Sequence, residues 1–227
     1  MIKEREAIFM TFSLNNYIDH TLLKPEARVD DIIQLCQEAE TFNFAAVCVN
    51  PCYAALAAHF LRGTKVHTAT VIGFPLGANK TSTKVQEVKT ALEDRVDEFD
   101  VVINIGALKS GQWDAVLAEI KAVVEAAENK IVKVIVETAL LTTEEKRRAC
   151  ELVLESGAHF IKTSTGFAAS GAAIEDIVLF KSIIGDTGRC GIKASGGIKT
   201  AKQALAMINA GATRIGTSNS IALMQDF

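Results

Sequence analysis

Phe160-Ile161-Lys162-Thr163-Ser164-Thr165-Gly166 and Gly191-Ile192-Lys193-Ala194-Ser195-Gly196-Gly197 are two short β-rich runs, each closing in glycine. The segment between them, Ala173–Ile184, has the three-to-four apolar spacing of a helix. This strand–helix–strand pattern repeats back to the N-terminus and on to the C-terminus. Further candidate strands are Tyr17–Thr21, Ala45–Val49, Val66–Ile72, Phe99–Ile103, Val132–Glu137 and Arg214–Gly216. Further candidate helices are Asp30–Thr41, Tyr53–Leu61, Thr83–Glu93, Trp113–Ala127, Thr143–Ser156 and Ala201–Ala210. Thr142-Thr143-Glu144-Glu145 has the form of a capping box, and Gly157 and Gly211 stand where C-cap glycines belong. Eight strands alternating with helices predict an α/β fold, a single (βα)8 TIM barrel over residues 17–227. Residues 1–16 are expected to form an N-terminal extension or a first helix, with Met10 as an alternative start. An open doubly wound sheet would share the alternation, but no G-x-G-x-x-G follows a strand.

Composition narrows the class. The 227 residues are 49% hydrophobic and 22% charged, which suits one large soluble barrel. A net charge of −3 without a basic block argues against nucleic acid as a partner. No apolar run approaches the roughly 20 residues of a membrane span, and Met1–Met10 lacks the apolar region of a signal peptide. Cys36, Cys48, Cys52, Cys150 and Cys190 are odd in number and scattered, as in a reduced, cytoplasmic protein. The scattered His20, His59, His67 and His159 show no ligand spacing, so no metal and no cofactor is expected.

Two lysines in core strands are chemically pointed. Burying an ammonium costs several kcal/mol unless it is paired, and a neighbouring cation in a dry site helps it lose its proton. A neutral lysine amine attacks aldehydes and ketones. Lys162 and Lys193 together therefore suggest Schiff-base chemistry, and the glycines after them suggest a phosphate on the substrate. Strand side chains alternate between faces. That alternation puts Asp19, Thr21, Ala46, Cys48, Thr68, Thr70, Asp100, Lys133, Glu137, Phe160, Lys162, Lys193, Ser195 and Gly216 inside the barrel. Val47, Val49, Val101, Val134, Ile161, Ile192 and Ile215 then face the helices. So many interior charges read either as a structural ion-pair network or as an active site at the strand C-termini.

Several motifs resemble those of the deoxyribose-phosphate aldolase family, the Schiff-base class I aldolases. They are Asp19-His20-Thr21-Leu22-Leu23-Lys24-Pro25, Ala46-Val47-Cys48-Val49, Val71-Ile72-Gly73-Phe74-Pro75-Leu76-Gly77 and Glu98-Phe99-Asp100-Val101-Val102. Lys133-Val134-Ile135-Val136-Glu137-Thr138, the two lysine motifs and Arg214-Ile215-Gly216-Thr217-Ser218 complete the set, which spans Tyr17 to about Leu223. The resemblance implies reversible cleavage of 2-deoxy-D-ribose 5-phosphate to D-glyceraldehyde 3-phosphate and acetaldehyde, a step of deoxyribonucleotide catabolism. It implies Lys162 as the Schiff-base lysine, Lys193 as the second lysine that lowers its pKa, and Asp100 as the aspartate of a proton relay. The partners implied are small sugar phosphates and aldehydes, with a homodimer by analogy.

On the same reading, Gly166, Gly196, Gly197, Lys199, Gly216 and Ser218 form the phosphate site, with Ser218 opening a short helix. Asp19, Thr21 and Glu137 orient Lys162, Lys193 or a water, and Lys133 pairs with Glu137 or Asp100. Cys48 is a small buried hydrophobe or a thiol that meets aldehyde products. Phe167 stands where some members carry a lysine, and Asn219 where some carry serine. Two other readings share the phosphate cradle: a barrel isomerase or epimerase working by acid–base chemistry alone, and a sugar-phosphate-binding barrel without catalysis.

Overall fold

A computed structural model describes residues 13–227; of the extension or first helix expected over residues 1–16, residues 1–12, with Met10, lie outside the described residues. Leu14–Tyr17 form a single 3-10 turn that leads into the first strand. Eight parallel strands follow: β1 (Ile18–Leu22), β2 (Ala46–Val49), β3 (His67–Ile72), β4 (Glu98–Val102), β5 (Ile131–Ile135), β6 (Phe160–Lys162), β7 (Gly191–Ser195) and β8 (Arg214–Thr217). They pair in chain order and close, β1 against β8, into a barrel. The helices are α1 (Val29–Phe42), α2 (Ala54–Phe60), α3 (Thr81–Glu93), α4 (Ile105–Lys109), α5 (Trp113–Ala126), α6 (Thr143–Ser156), α7 (Ile174–Ile184), α8 (Ala201–Asn209) and α9 (Ser220–Gln225). The eight expected strands and seven expected helices are all present. The short α4 lies in a loop where the apolar pattern is too brief to announce a helix.

Local chemistry explains the boundaries. Thr142 accepts from the Glu145 amide, the Glu145 carboxylate accepts from the Thr142 amide, and α6 starts there. It ends at Gly157, whose φ of 80° is left-handed. Val47, Val49, Val101, Val134, Ile161, Ile192 and Ile215 are buried between sheet and helices. Truncating one of them, Ile161 to alanine, would cost roughly 2–5 kcal/mol.

Register decides what lines the interior, because directly paired residues of parallel strands share a face. Asp19 pairs with Ala46 and with Gly216. Asp100 pairs with Val71 and Lys133, and Lys162 pairs with Ile135 and Lys193. On β3 the inward residues are thus His67, Ala69 and Val71. The expected inward Thr68 and Thr70 face the helices instead. Thr70 loses nothing by it, since its hydroxyl donates to the Val49 carbonyl at 2.9 Å. The interior consequently has two halves. Leu23, Ala46, Cys48, Ala69, Val71 and Phe74 make an apolar cluster beside β2 and β3, and the charges gather on the other strands.

Candidate active site

Four cationic side chains and three carboxylates meet inside the barrel. Lys162, the last residue of β6, places Nζ 2.7 Å from Asp100 Oδ2. Lys193 on β7 places Nζ 2.6 Å from the same oxygen and 2.5 Å from Asp19 Oδ2. Lys133 on β5 reaches Asp100 Oδ1 at 2.7 Å, Glu98 Oε2 at 2.5 Å and Asp19 Oδ2 at 3.3 Å. Arg214, which opens β8, reaches Asp19 Oδ1 at 2.6 Å and Glu98 Oε2 at 3.1 Å. Room for this bundle comes from Gly216: a Cβ there would lie 2.9 Å from Lys193 Cε and 3.0 Å from Ser195 Cβ.

The arithmetic of charge is uneven. With all four cations protonated, one positive charge in the dry interior has no counter-charge, which is expensive. Releasing one proton balances Lys133, Lys162, Lys193 and Arg214 against Asp19, Glu98 and Asp100. The lysine that gives it up should be the one with the weakest pairing. Among the described residues, Lys162 has a salt bridge to Asp100 alone, whereas Lys193 has two carboxylates and Lys133 has three.

The pKa directions agree. Burial, helped by the Lys193 ammonium, pushes Lys162 below the ordinary lysine value against the pull of Asp100. Burial works against charge on Lys193 too, but Asp100 and Asp19 outweigh it and hold that ammonium above its ordinary value. Lys133 is held well above by Asp100, Asp19 and Glu98. Burial disfavours charge on Asp100 as well, yet Lys133, Lys162 and Lys193 keep its carboxyl well below the usual range.

Above this network lies a cleft of about 250 Å3 at the C-terminal mouth of the barrel. Lys162 lines it, and so do Gly166, Gly196, Gly197, Lys199, Gly216 and Ser218, the whole set singled out for phosphate. Asp100 and Lys193 are fully buried beneath, so Lys162 is the lysine of the trio that reaches the cleft. Gly196 has φ 86°, and an added Cβ would sit 2.9 Å from Gly171 Cα, so the turn after β7 requires glycine. Sequence reasoning missed Lys24 and Thr165, which also line the cleft. Phe167 stands on its rim, 54% exposed, with its ring edge against Phe74 at 5.3 Å.

Other expectations need correction. Glu137 lies two residues past the end of β5 with φ 54°, so strand alternation no longer predicts where it points. Its carboxylate accepts from the Thr165 hydroxyl and from the Thr165 amide at 3.2 Å, and holds the loop after Lys162 in place of touching either lysine. The interior glutamate is Glu98. Lys133 pairs with Asp100, not with Glu137. Thr21 lines the cleft with Lys162, and its hydroxyl donates to the carbonyl of Asp19 in its own strand at 2.8 Å. Ser218 does not open a helix: α9 starts at Ser220, Asn219 is the capping residue, and the Ser218 hydroxyl donates to Asn219 Oδ1 at 3.2 Å. Cys48 sits in the apolar half, and burial pushes its thiol up to about 11. No group of three or more His, Cys, Asp or Glu among the described residues is placed to hold a metal ion. No helix among them is long and apolar enough to cross a membrane.

Comparison with known proteins points one way. Residues 14–223 match the family model described as DeoC/LacD family aldolase. A deoxyribose-phosphate aldolase of Clostridium botulinum strain Langeland is 54% identical over 212 residues, covering 93% of this chain and 99% of the relative. One from Streptococcus sanguinis is 52% identical, covering 93% and 96%. The solved deoxyribose phosphate aldolase of Aeropyrum pernix, described as a tetramer, superposes with a TM-score of 0.87 at 32% identity, covering 93% of this chain and 89% of the other.

Proposed function

This chain belongs to the DeoC/LacD family of aldolases, and from that premise we propose that its aldol cleavage runs through a Schiff base on Lys162. The protein is an aldolase of 2-deoxy-D-ribose 5-phosphate, releasing D-glyceraldehyde 3-phosphate and acetaldehyde. The observation that carries the covalent reading is the surplus cation. The charge count favours one neutral lysine, and the least paired of them opens on the cleft.

In the proposed mechanism the neutral Lys162 amine adds to C1 of the open-chain sugar. Lys193 protonates the carbinolamine hydroxyl, which leaves as water, and an iminium remains. Lys193 is now neutral. It takes the proton of the C3 hydroxyl, through a water where the geometry requires one, as the C2–C3 bond breaks. The electron pair of that bond moves into the iminium and gives an enamine, while the three-carbon aldehyde departs. Lys193 returns its proton to C2 of the enamine. Water then hydrolyses the resulting iminium to acetaldehyde and leaves Lys162 as an ammonium, whose extra proton passes to the neutral Lys193 and restores the resting state. Asp100 Oδ2, shared by both amines, is the station between them. Asp19 and Lys133 hold that station in place.

The phosphate is proposed to lie across Gly166, Gly196, Gly197, Gly216 and Ser218, with Lys199 and Lys24 adding positive charge. Backbone N–H groups at these glycines can approach an anion closely. A homodimer belongs to the same proposal, on analogy with other barrels, and light scattering on a sizing column counts the copies. Isomerase and binding-only readings give no reason for a neutral lysine at the cleft. The test is steady-state cleavage of 2-deoxyribose 5-phosphate by the wild type and by Lys162→Met. We expect the variant to fold, bind the sugar phosphate and lose turnover by at least about 10^3-fold. Turnover within tenfold of wild type would end the covalent reading.

A further inference from the structure

The interior network does not stop beneath Lys162. From Lys162 it passes to Asp100, then to Lys193 and Asp19, then from Asp19 Oδ1 to Arg214 and on to Glu98. Glu98 Oε1 in turn lies 2.8 Å from Nδ1 of His67. His67, Glu98 and Arg214 are the first residues of β3, β4 and β8, so this end of the chain of contacts is the N-terminal mouth of the barrel. The His67 side chain is 49% exposed there, while Glu98 is fully buried. An unbroken series of ion pairs and hydrogen bonds therefore joins a lysine at one mouth to a solvent-touched imidazole at the other.

We propose that His67 is a remote charge-setting residue: its protonation at the N-terminal mouth is felt through the buried network and biases whether Lys162, at the C-terminal mouth, keeps its proton. The proposal rests on the reading of Lys162 as the Schiff-base lysine and adds a second determinant of its reactivity.

The physical argument is the same charge count extended by one. With Lys162 neutral, the interior is balanced. A proton on His67 adds a positive charge against Glu98, which Lys133 and Arg214 already share. The network then tolerates a cation at Lys162 less well, and the neutral, nucleophilic amine is favoured. Groups that share partners in this way titrate together, not singly. The linkage is reciprocal, so a cationic iminium at Lys162 makes the proton on His67 easier to lose.

The charged groups around His67 act in both directions. Glu98 on β4 and Asp97 just before it favour the imidazolium, and Arg214 on β8 opposes it. Arg62, after α2, and Arg95, after α3, share the pocket at this mouth and add positive charge. The Glu98 hydrogen bond prevails, and the His67 imidazole is held above its ordinary value.

The test compares a neutral and a permanently charged side chain at position 67. His67→Asn places an amide where Nδ1 stood and can donate to Glu98; His67→Arg carries a charge at every working pH. His67→Gln is a second neutral variant should His67→Asn fold poorly, and thermal melting checks each one. The readout is the rate of reductive trapping of Lys162 by acetaldehyde and cyanoborohydride as a function of pH, with peptide mapping to confirm the site. We expect the midpoint to lie about half a pH unit higher in His67→Asn than in His67→Arg. Wild type should follow the arginine variant at low pH and the asparagine variant at high pH. Coincident midpoints, with trapping at Lys162 in both variants, would overturn the role of His67 and leave the Schiff-base reading intact. Absence of trapping at Lys162 in the wild type would overturn both. A purely structural role for His67 would change melting temperature or rate at all pH values without moving the midpoint.

Discussion

Lys84 and Lys162 are both buried, both paired with a carboxylate and both pushed below the ordinary lysine pKa by burial. Their surroundings nevertheless differ. Lys84, on α3 outside the barrel, donates to Glu119 at 2.6 Å and to the Val102 carbonyl at 2.8 Å. The same Glu119 carboxylate accepts from the Asn104 amide at 3.0 Å and from Thr81 at 3.3 Å. This is a one-to-one pair that ties α3 and α5 to the end of β4, and Lys84 is absent from the lining of the cleft. Inside the barrel four cations face three carboxylates, and the odd member reaches the cleft. A buried amine with a lowered pKa is therefore not by itself a sign of catalysis. A charge imbalance, and a cavity at the group that resolves it, separate the reactive lysine from the structural one.

That contrast can be broken from either side. The largest effect is expected on the catalytic side: Lys193→Met should lower turnover by about 10^2–10^4-fold. It should also move the trapping midpoint of Lys162 to higher pH, because a repelling cation is gone and Asp100 is left to hold the Lys162 proton. A slower enzyme with an unmoved midpoint would show that Lys193 does not tune Lys162. On the structural side, Lys84→Met leaves a carboxylate buried without its cation and should cost about 3–5 kcal/mol in urea unfolding. Trapping at Lys162 should survive in the folded fraction, and Lys84→Met with Glu119→Leu should recover part of the stability, the Asn104 amide being left without its acceptor. Loss of trapping in a well-folded Lys84 variant would erase the distinction.

A smaller effect concerns acid. Neighbouring cations hold Asp19, Glu98 and Asp100 below their unfolded-state values in spite of burial. As pH falls, the unfolded chain takes up protons at these groups first. The stability they contribute is thus full above about pH 4 and is lost as pH falls through the folded-state values. Urea midpoints measured downward from pH 6 should fall below about pH 4, and more shallowly in Asp19→Asn. The smallest effect is expected at the rim. Phe167→Lys adds a cation beside the glycine cradle and should lower KM for the phosphorylated sugar a few-fold at low salt, the gain fading as salt screens it. An unchanged KM would place the phosphate away from Gly166.

Much of this was legible from residue patterns, for a simple reason. Lys162, Lys193 and Asp100 sit in short strands whose alternation holds right up to the mouth of the barrel, and the glycines beyond them mark the cleft. The errors fall where alternation was stopped short or trusted too far. Glu98 lies one residue before the expected start of its strand, and stepping back by two from Asp100 would have placed it inside. The same step back from Gly216 reaches Arg214. On β3 polarity misled, since Thr70 faces outward and satisfies its hydroxyl on the neighbouring strand. Glu137 misled because its own backbone is left-handed, so the alternation ends at that residue. The Lys84–Glu119 pair spans 35 positions between two helices, a tertiary contact that no local pattern announces.

Reduction with borohydride in the presence of acetaldehyde, followed by peptide mass spectrometry, tests the central claim most directly. The charge imbalance predicts an ethyl group on Lys162, with Lys84, Lys133 and Lys193 unmodified. An ethyl group on Lys193 or Lys133 with Lys162 untouched would contradict it.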